Sequence, residues 1–307
     1  MNKLLSAFIL ITGAVSFPMQ AAAQVEAKTN LNKGSGWGKT KAAKDLPKEI
    51  TIAQFNAYYM TTRVAGGKHG NASLTRRAEL NLTEETARAA TDAGCAYLKA
   101  QLEAKGYTVK TDDAETLRST KIFQKFAKKD TTAKVATGGS QYLRNKDKLD
   151  ERIVNFASDI TGVNLGVKGG AGYVPLALEL GGKEGRLTVN FMGIIDFTEP
   201  EVKEYTSGGH DIVEVNFPPS LRMIDVLTYG QSTANYHSTR EIGGKVYGGH
   251  EFKNANLAWL KEHTTDKDAV DQFVIDEQGF QAAALELFKA YIDQFVARID
   301  ELKTTGK

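Results

Sequence analysis

The feature that most constrains the fold is an amphipathic pattern near the C-terminus, over residues 280–302. Apolar side chains recur there at steps of three and four residues, with Glu, Lys, Asp and Arg between them: Phe280, Ala283, Ala284, Leu287, Phe288, Tyr291, Ile292, Phe295, Ile299 and Leu302. This spacing predicts one long α-helix whose apolar stripe has to be covered. Packing on the protein's own sheet is favoured, because the polar face mixes acids with bases, whereas a membrane-surface helix is richer in Lys and Arg there. A membrane-surface helix and a partner-binding coil are the alternatives.

The first 23 residues have the three-part layout of a secretory signal peptide. Lys3 gives the positive start, an apolar run follows over residues 4–15, Pro18 breaks it, and alanines at 21–23 supply the small side chains before a cleavage site. We therefore expect cleavage after Ala23, so that the mature chain begins at Gln24. The run is too short to cross a bilayer, and no other segment approaches the roughly 20 apolar residues that a helical span needs.

The expected compartment is the periplasm or the extracellular space. The signal is of bacterial type, and a bacterial lipoprotein would need a cysteine at the cleavage site, whereas the only cysteine is Cys95. A single cysteine excludes an intramolecular disulfide, so stability has to come from a core, which the 41% of hydrophobic residues can build. The formal net charge of +2 gives no long-range attraction to nucleic acid or to an anionic membrane. We expect a protein or small-molecule ligand of the cell envelope as partner, with no nucleic acid and no membrane span, and leave self-association open.

The chain after the signal divides into a leader, one folded domain and a tail. Residues 24–48 are polar and lysine-rich without an apolar period, which predicts a flexible leader; residues 49–303 form a single α/β domain, and residues 304–307 a disordered tail.

The first half of the domain has clear local signals. β-forming residues at 50–64, a glycine-rich loop and partial alternation at 74–82 predict a long hairpin. Thr83 then offers an N-cap, and an apolar stripe closed by Gly106 predicts a helix. Residues 107–110 predict a short strand, and residues 117–126 a second amphipathic helix.

The middle of the chain is less regular. Residues 153–167 fit a helix or a strand equally well. β-forming residues at 174–180 and 187–197 flank a glycine-rich turn and predict a second hairpin, and further strands are expected at 212–217 and 221–229. The expected fold class is α/β (α+β): a mixed, largely antiparallel sheet with a helix after the first hairpin and the long C-terminal helix packed on one face.

Sequence motifs for catalysis or nucleotide binding are incomplete. Residues 34–40, GSGWGKT, end like a phosphate-binding loop but have three residues between the outer glycines instead of four, and no hydrophobic strand precedes them. Ser140 follows two glycines but lacks the later glycine of a nucleophile elbow. Cys95, beside Gly94 and Ala96 on the small face of the first helix, fits a small buried hydrophobe better than a nucleophile.

Histidines and isolated carboxylates supply the remaining site candidates. His237 and His250 lie in a Tyr- and Gly-rich stretch with Tyr236, so they either share a binding site or are solvated loop residues. Asp196 and Asp225 each follow a strand-like apolar pair, where a carboxylate is either functional or a strand-end residue. The sequence holds no HExxH pair and no CxxC clip, so neither a metal nor a cofactor is predicted.

A fold-assembled hydrolase site would need a nucleophile, a base and an orienting group to meet. Ser140, His210 and Asp225 are such a trio, although nothing in their sequence spacing places them together. The catalytic residues are therefore left unassigned, and the candidates for binding are His210, Asp225, Tyr236, His237 and His250.

Several features occur in an order that is similar to a known family. A strand opens the domain after a polar leader, a helix is closed by Gly106-Tyr107-Thr108-Val109, a glycine loop stands at Gly169-Gly170-Ala171-Gly172, and an apolar strand at 187–196 ends in Asp196. This layout resembles the periplasmic domain of the curli-secretion (CsgG-like) proteins. The resemblance implies an α/β sandwich used in envelope assembly. It carries over neither channel activity nor a catalytic residue, because the sequence lacks the lipid-anchoring cysteine and clear pore-forming hairpins.

The favoured function is that of an exported, soluble periplasmic protein with a non-enzymatic binding or envelope-assembly role. A periplasmic hydrolase with a fold-assembled active site is the alternative.

Overall fold

The computed structural model describes residues 25–28, 48–110, 119–121, 151–158, 187–232, 237–239, 251–265 and 270–305. The helices are α1 (Glu84–Ala104) and α2 (Glu277–Thr305). The strands are β1 (Val25–Lys28), β2 (Glu49–His69), β3 (Ala72–Leu80), β4 (Thr108–Lys110), β5 (Arg152–Ala157), β6 (Leu187–Thr198), β7 (Glu201–Ser207), β8 (His210–Asn216), β9 (Pro219–Ser232), β10 (His237–Thr239), β11 (Glu251–Asn254), β12 (Leu260–Thr265) and β13 (Val270–Ile275).

Strand β2 is the central strand of the sheet, because its 21 residues pair with other strands on both sides. On one side, residues 50–59 run parallel to β6. On the other side, β2 pairs in turn with β4, β5 and β3. The predicted long hairpin is confirmed, since β2 and β3 are antiparallel and turn at Gly70, whose φ of 54° favours glycine.

The large sheet has the order β1-β11-β9-β6-β2-β3-β13-β12, with β10 beside β9, and β4 and β5 beside β2. Three of its pairs are parallel: β2–β4, β2–β6 and β3–β13. The other described pairs are antiparallel. The predicted mixed, largely antiparallel sheet is therefore confirmed.

The two helices pack against each other on one face of this sheet. Thr83 begins α1 as predicted, because its Oγ1 accepts a hydrogen bond from the Thr86 amide at 3.2 Å. The helices are also tied to each other by polar contacts, among them Tyr97 Oη donating to Asp293 Oδ1 at 2.7 Å and Lys105 Nζ lying 2.6 Å from Asp300 Oδ2.

The apolar stripe of α2 covers the protein's own sheet, as favoured from its sequence. Phe288, Ile292 and Phe295 are each at most 1% exposed. The ring of Phe288 packs edge-on against Phe55 of β2 at 5.6 Å and against Phe191 of β6 at 5.8 Å, measured between ring centroids. The predicted packing of the C-terminal helix on one face of the sheet is confirmed.

The structure differs from the sequence-based expectation at both ends of the chain. Val25–Lys28 is not leader but an edge strand, paired antiparallel with β11, and Val25 packs partly buried against the core. A strand this short shows no apolar period, so its pairing cannot be recognised from the pattern. Residues 29–47 lie outside the described ranges. At the other end, α2 continues to Thr305, into the predicted tail.

In the middle of the chain, the structure assigns secondary structure to several segments that the sequence left ambiguous. The part of 153–167 that is described forms β5, and the strands expected at 187–197, 212–217 and 221–229 correspond to β6, β8 and β9. The strand expected at 174–180, the glycine loop at 169–172 and most of the helix expected at 117–126 lie outside the described residues. The hairpin that follows β6 is β7–β8, which the sequence does not reveal because β7 has no buried residue.

Candidate functional site

The candidate functional site is a double hairpin in which β7–β8 lies against the outer part of β2–β3, residues 63–78. The β7–β8 pair is a separate two-stranded sheet that enters directly from β6 and returns into β9. Its turn consists of Gly208 and Gly209, whose φ values of 58° and 79° are those of a type I′ turn.

A buried ion pair fixes the base of the double hairpin, where β6 leaves the large sheet. Asp196 of β6 is fully buried and stands opposite Arg222 of β9, with Arg222 Nη2 2.8 Å from Asp196 Oδ2. The same Nη2 donates to the Thr198 carbonyl at 3.1 Å. From β2, Arg63 Nε lies 3.7 Å from the other carboxylate oxygen of Asp196. Two guanidinium groups from two strands therefore share one buried carboxylate.

Two further acids complete this cluster, which we call the base cluster. Glu151 Oε1 lies 3.4 Å from Arg63 Nη1, and Glu199 Oε1 lies 3.3 Å from Arg222 Nη1. Lys253 Nζ stands 3.8 Å from Glu199 Oε2. The three basic and three acidic groups balance in formal charge, so the cluster joins strands without concentrating charge of one sign. Buried pairs of this kind add little net stability, but losing one partner leaves an unpaired buried charge.

A second polar cluster holds β8 against β3 and β13. Arg76 of β3 donates to the Val215 carbonyl of β8 at 3.0 Å and to Asp271 Oδ2 of β13 at 2.7 Å. Asp271 is buried and also accepts from Thr265 Oγ1 at 2.8 Å. His263 Nε2 lies 3.3 Å from Asp271 Oδ1. Arg76 thus ties the inserted hairpin to the edge of the large sheet.

The tips of the two hairpins are joined by side chain to backbone contacts. Asp211 Oδ2 accepts from the Asn71 amide at 3.0 Å, and Glu204 Oε1 accepts from the Lys68 amide at 2.9 Å. A Cβ on Gly67 would stand 2.5 Å from Glu204 Oε1 and 2.7 Å from Val202 Cγ1, so glycine permits this close approach. The double hairpin is held at its base, along its length and at its tip.

Apolar side chains fill the space beneath β8. Val215 and Phe217 are at most 3% exposed, as is Phe197, whose ring packs edge-on against Phe273 at 5.0 Å. Val215 therefore anchors the inserted hairpin to the core of the large sheet.

The outer strand of the double hairpin is β7, and all seven of its residues are exposed. Val202 is 40% and Tyr205 39% exposed, two of the few large apolar side chains with this exposure in the described part of the chain. Tyr205 Oη donates to Glu214 Oε1 at 2.6 Å, and this hydrogen bond raises the pKa of Tyr205. In the described ranges β7 pairs with β8 alone, and no described strand lies along its other edge, which we call its open edge.

The residues selected from the sequence lie in different parts of the fold. His210 is exposed and begins β8 at the tip of the double hairpin, whereas Asp225 lies within β9 of the large sheet. His237 begins β10 and stands opposite Ser232. Tyr236, His250 and Ser140 lie outside the described residues, so the suggested trio and the shared histidine site stay predictions.

Asp196, noted in the sequence as a carboxylate after an apolar strand, is the centre of the base cluster. Its partners Arg63 and Arg222 were not foreseen. The available signal was weak: Arg222 interrupts the apolar run Leu221-Arg222-Met223-Ile224, where a charged residue in a strand needs a buried partner.

The thiol of Cys95 is buried in α1, as predicted for a small core residue. Burial raises its pKa to about 12, so the thiol is protonated at neutral pH and is a poor nucleophile. Its neighbour Ser158 donates to Asp92 Oδ1 at 2.6 Å. This geometry favours a structural role for the thiol.

The chain matches no protein-family model, no curated protein and no solved structure. Neither described helix has a segment long and apolar enough to cross a membrane. Among the described residues, no three side chains of His, Cys, Asp or Glu are placed to hold a metal ion.

Proposed function

We propose that this protein is an exported, non-enzymatic binding component of the cell envelope and that it binds another protein along the open edge of β7. The observation that carries the proposal is that β7 has no buried residue, on a hairpin that is held at its base, length and tip. Export is inferred from the signal-like first 23 residues.

The hairpin geometry supports an edge that is ready to pair. In a hairpin closed by a two-residue type I′ turn, the residues that flank the turn, Ser207 and His210, exchange backbone hydrogen bonds. Because bonded and non-bonded pairs alternate, the backbone groups of Val202, Glu204 and Thr206 point away from β8. No strand in the described part of the chain pairs with these groups, which therefore form a template for an added strand.

The positions of the exposed apolar side chains favour a partner that adds a strand to β7 over a partner that covers only one face of β7. Val202 points toward Gly67 on the inner face of β7, and Tyr205, three residues later, points to the outer face. A strand placed beside β7 covers both side chains at once, since it has residues on both faces. The partner segment is therefore extended, with apolar side chains three residues apart.

The preorganised position of β7 favours high affinity for a partner, because a strand that is already ordered loses little conformational entropy when it binds. The base cluster and Arg76 hold β7–β8 in place before any partner arrives.

The test is in-cell photocrosslinking from position 205, with Val202→Pro and Val202→Thr as a matched pair. Proline removes an outward amide without breaking the β7–β8 ladder, whereas threonine keeps that amide and the β-branched shape. With the crosslinker at position 205, we expect one discrete crosslinked protein when residue 202 is Val or Thr, and its loss with Val202→Pro. Equal crosslinking by the Thr and Pro variants, or no crosslink when residue 202 is Val, would refute edge binding.

A further inference from the structure

The outer face of β7 carries two exposed charges beside Tyr205. Val202 points to the inner face, toward Gly67. Side chains alternate along a strand, so Glu201, Lys203 and Tyr205 share the outer face. All three are exposed and follow one another at steps of two residues. A strand added along the open edge of β7 therefore meets both charges in one row.

Glu201 and Lys203 are free to pair with a partner. No ion pair or side-chain hydrogen bond joins either of them to the rest of the described chain. Other acids of the hairpin are engaged: Glu204 accepts from a backbone amide of β2 at 2.9 Å, and Glu214, which stands opposite Lys203, accepts from Tyr205 Oη at 2.6 Å. The edge strand thus presents a carboxylate and an ammonium group side by side.

An antiparallel partner brings its side chains closest to these two charges. The backbone groups of Val202, Glu204 and Thr206 point to the open edge, so the residues between them take non-hydrogen-bonded positions in the new pair. Opposite Cα atoms are about 4.5 Å apart at such positions, against about 5.5 Å at hydrogen-bonded ones. Antiparallel pairing is also slightly more stable per residue than parallel pairing. The residues that face Glu201 and Lys203 therefore interact closely with them.

We propose that the partner of β7 is an antiparallel strand with an acidic residue opposite Lys203 and a basic residue opposite Glu201, an inference that rests on the edge binding proposed above. Opposite charges directly across two strands attract, whereas like charges repel. From its N-terminus, the partner segment has an apolar residue opposite Tyr205, an acid two positions later, an apolar residue opposite Val202 and then a base. A segment with the acid and the base exchanged is repelled at both positions.

The first test maps the photocrosslink from position 205 onto the partner by mass spectrometry, and it needs no further variant. The crosslinked residue marks the position opposite Tyr205. We expect an acidic residue two positions and a basic residue four positions C-terminal to it. A crosslinked segment without these charges, or with the acid and the base exchanged, would overturn the proposed charge pattern. Edge binding would still stand if Val202→Pro abolished the crosslink.

Charge reversal then measures how much each pair contributes to binding. Glu201→Lys and Lys203→Glu each replace an attraction with a repulsion, so the crosslink yield at limiting expression should fall roughly 2- to 30-fold. The matched controls are Glu262→Lys and Lys261→Glu, which make the same changes of net charge at exposed positions of β12. The two control variants should crosslink as well as the natural residues do.

The outcomes separate the charge pattern from edge binding itself. Urea midpoints should be the same for all four reversal variants, because exposed charges contribute little to stability, so a lower yield reports weaker binding. Reversals on β7 that behave like those on β12 would overturn the charge pattern, whereas loss of the crosslink with Val202→Pro would still support edge binding. Absence of any crosslink when residue 202 is Val would refute both.

Discussion

Asp196 and Arg222 stand opposite each other on β6 and β9 and form an ion pair at 2.8 Å that is almost completely buried. The pair lies where β6 leaves the large sheet and enters β7. A buried charge that loses its partner is costly, whereas a surface charge is not. The position of the double hairpin therefore depends on this pair more than on any exposed contact.

Replacing Arg222 with Met should lower the free energy of unfolding by about 3–5 kcal/mol, because the Asp196 carboxylate would remain buried without its strongest partner. Urea titration measures the change. Lys253→Met is the control: Lys253 is 43% exposed and only 3.8 Å from Glu199, so we expect a loss below about 1 kcal/mol. Asp196→Leu combined with Arg222→Met should recover much of the stability. A loss as small as that of the control would contradict a central role for the pair.

Truncation of the C-terminal helix stripe should destabilise the isolated protein. Phe288→Ala, Ile292→Ala and Phe295→Ala should each cost roughly 3 kcal/mol, because each side chain is buried in the core. Gln278→Ala, on an exposed position of the same helix, should change little. Urea titration is the measurement, and liposome flotation should be negative for all variants. An unchanged unfolding midpoint for all three truncations would mean that the helix serves a membrane or a partner instead.

Gly94→Ala should destabilise the protein even though alanine is the better helix former. A Cβ at this position would stand 2.7 Å from Phe288 Cδ2 and 2.9 Å from Phe55 Cζ, inside ordinary contact distance. The expected loss is about 1–3 kcal/mol, larger than the roughly 1 kcal/mol that helix propensity returns. Phe288→Leu in the Gly94→Ala background should recover part of the loss. Stabilisation by Gly94→Ala would show that the core has room at this point.

Local signals in the sequence were sufficient for α1, α2 and the first hairpin. Thr83 caps α1, and the stripe from Phe280 to Ile299 faces the sheet, because capping and periodicity depend on residues close in sequence. β1 and β7 could not be predicted, since a four-residue strand and a strand without a buried residue show no burial period. The base cluster was also beyond prediction, because the partners of Asp196 come from strands distant in sequence.

Cys95→Ala should leave the fold nearly intact, at a cost of at most about 1 kcal/mol, and should remove part of the loss of stability at alkaline pH. Burial raises the thiol pKa from about 9 to about 12, so the folded state holds this proton more tightly than the unfolded state. The resulting stability is fully present below about pH 9 and is lost as the pH rises toward 12.

Two measurements check the role of Cys95. Urea titrations at pH 8, 9 and 10 should show a shallower decline for Cys95→Ala than for the natural sequence. A thiol reagent at pH 8 should react with the natural protein only after unfolding, because the protonated, buried thiol is unreactive. Rapid reaction of the folded protein, or loss of partner binding in a stably folded Cys95→Ala variant, would make the thiol functional.

Cleavage after Ala23 should leave Gln24 as the first residue of the exported protein, one residue before β1 begins. The N-terminal strand would then be free to pair with β11, whereas an uncleaved signal would hold it at the membrane. Mass spectrometry of protein from the envelope fraction measures the mature N-terminus. Replacing Ala21 and Ala23 with Leu should block cleavage and leave a membrane-associated precursor, because signal peptidase needs small side chains at these positions. Recovery of the natural chain from the cytosol with Met1 intact would refute export and, with it, the proposed place of action.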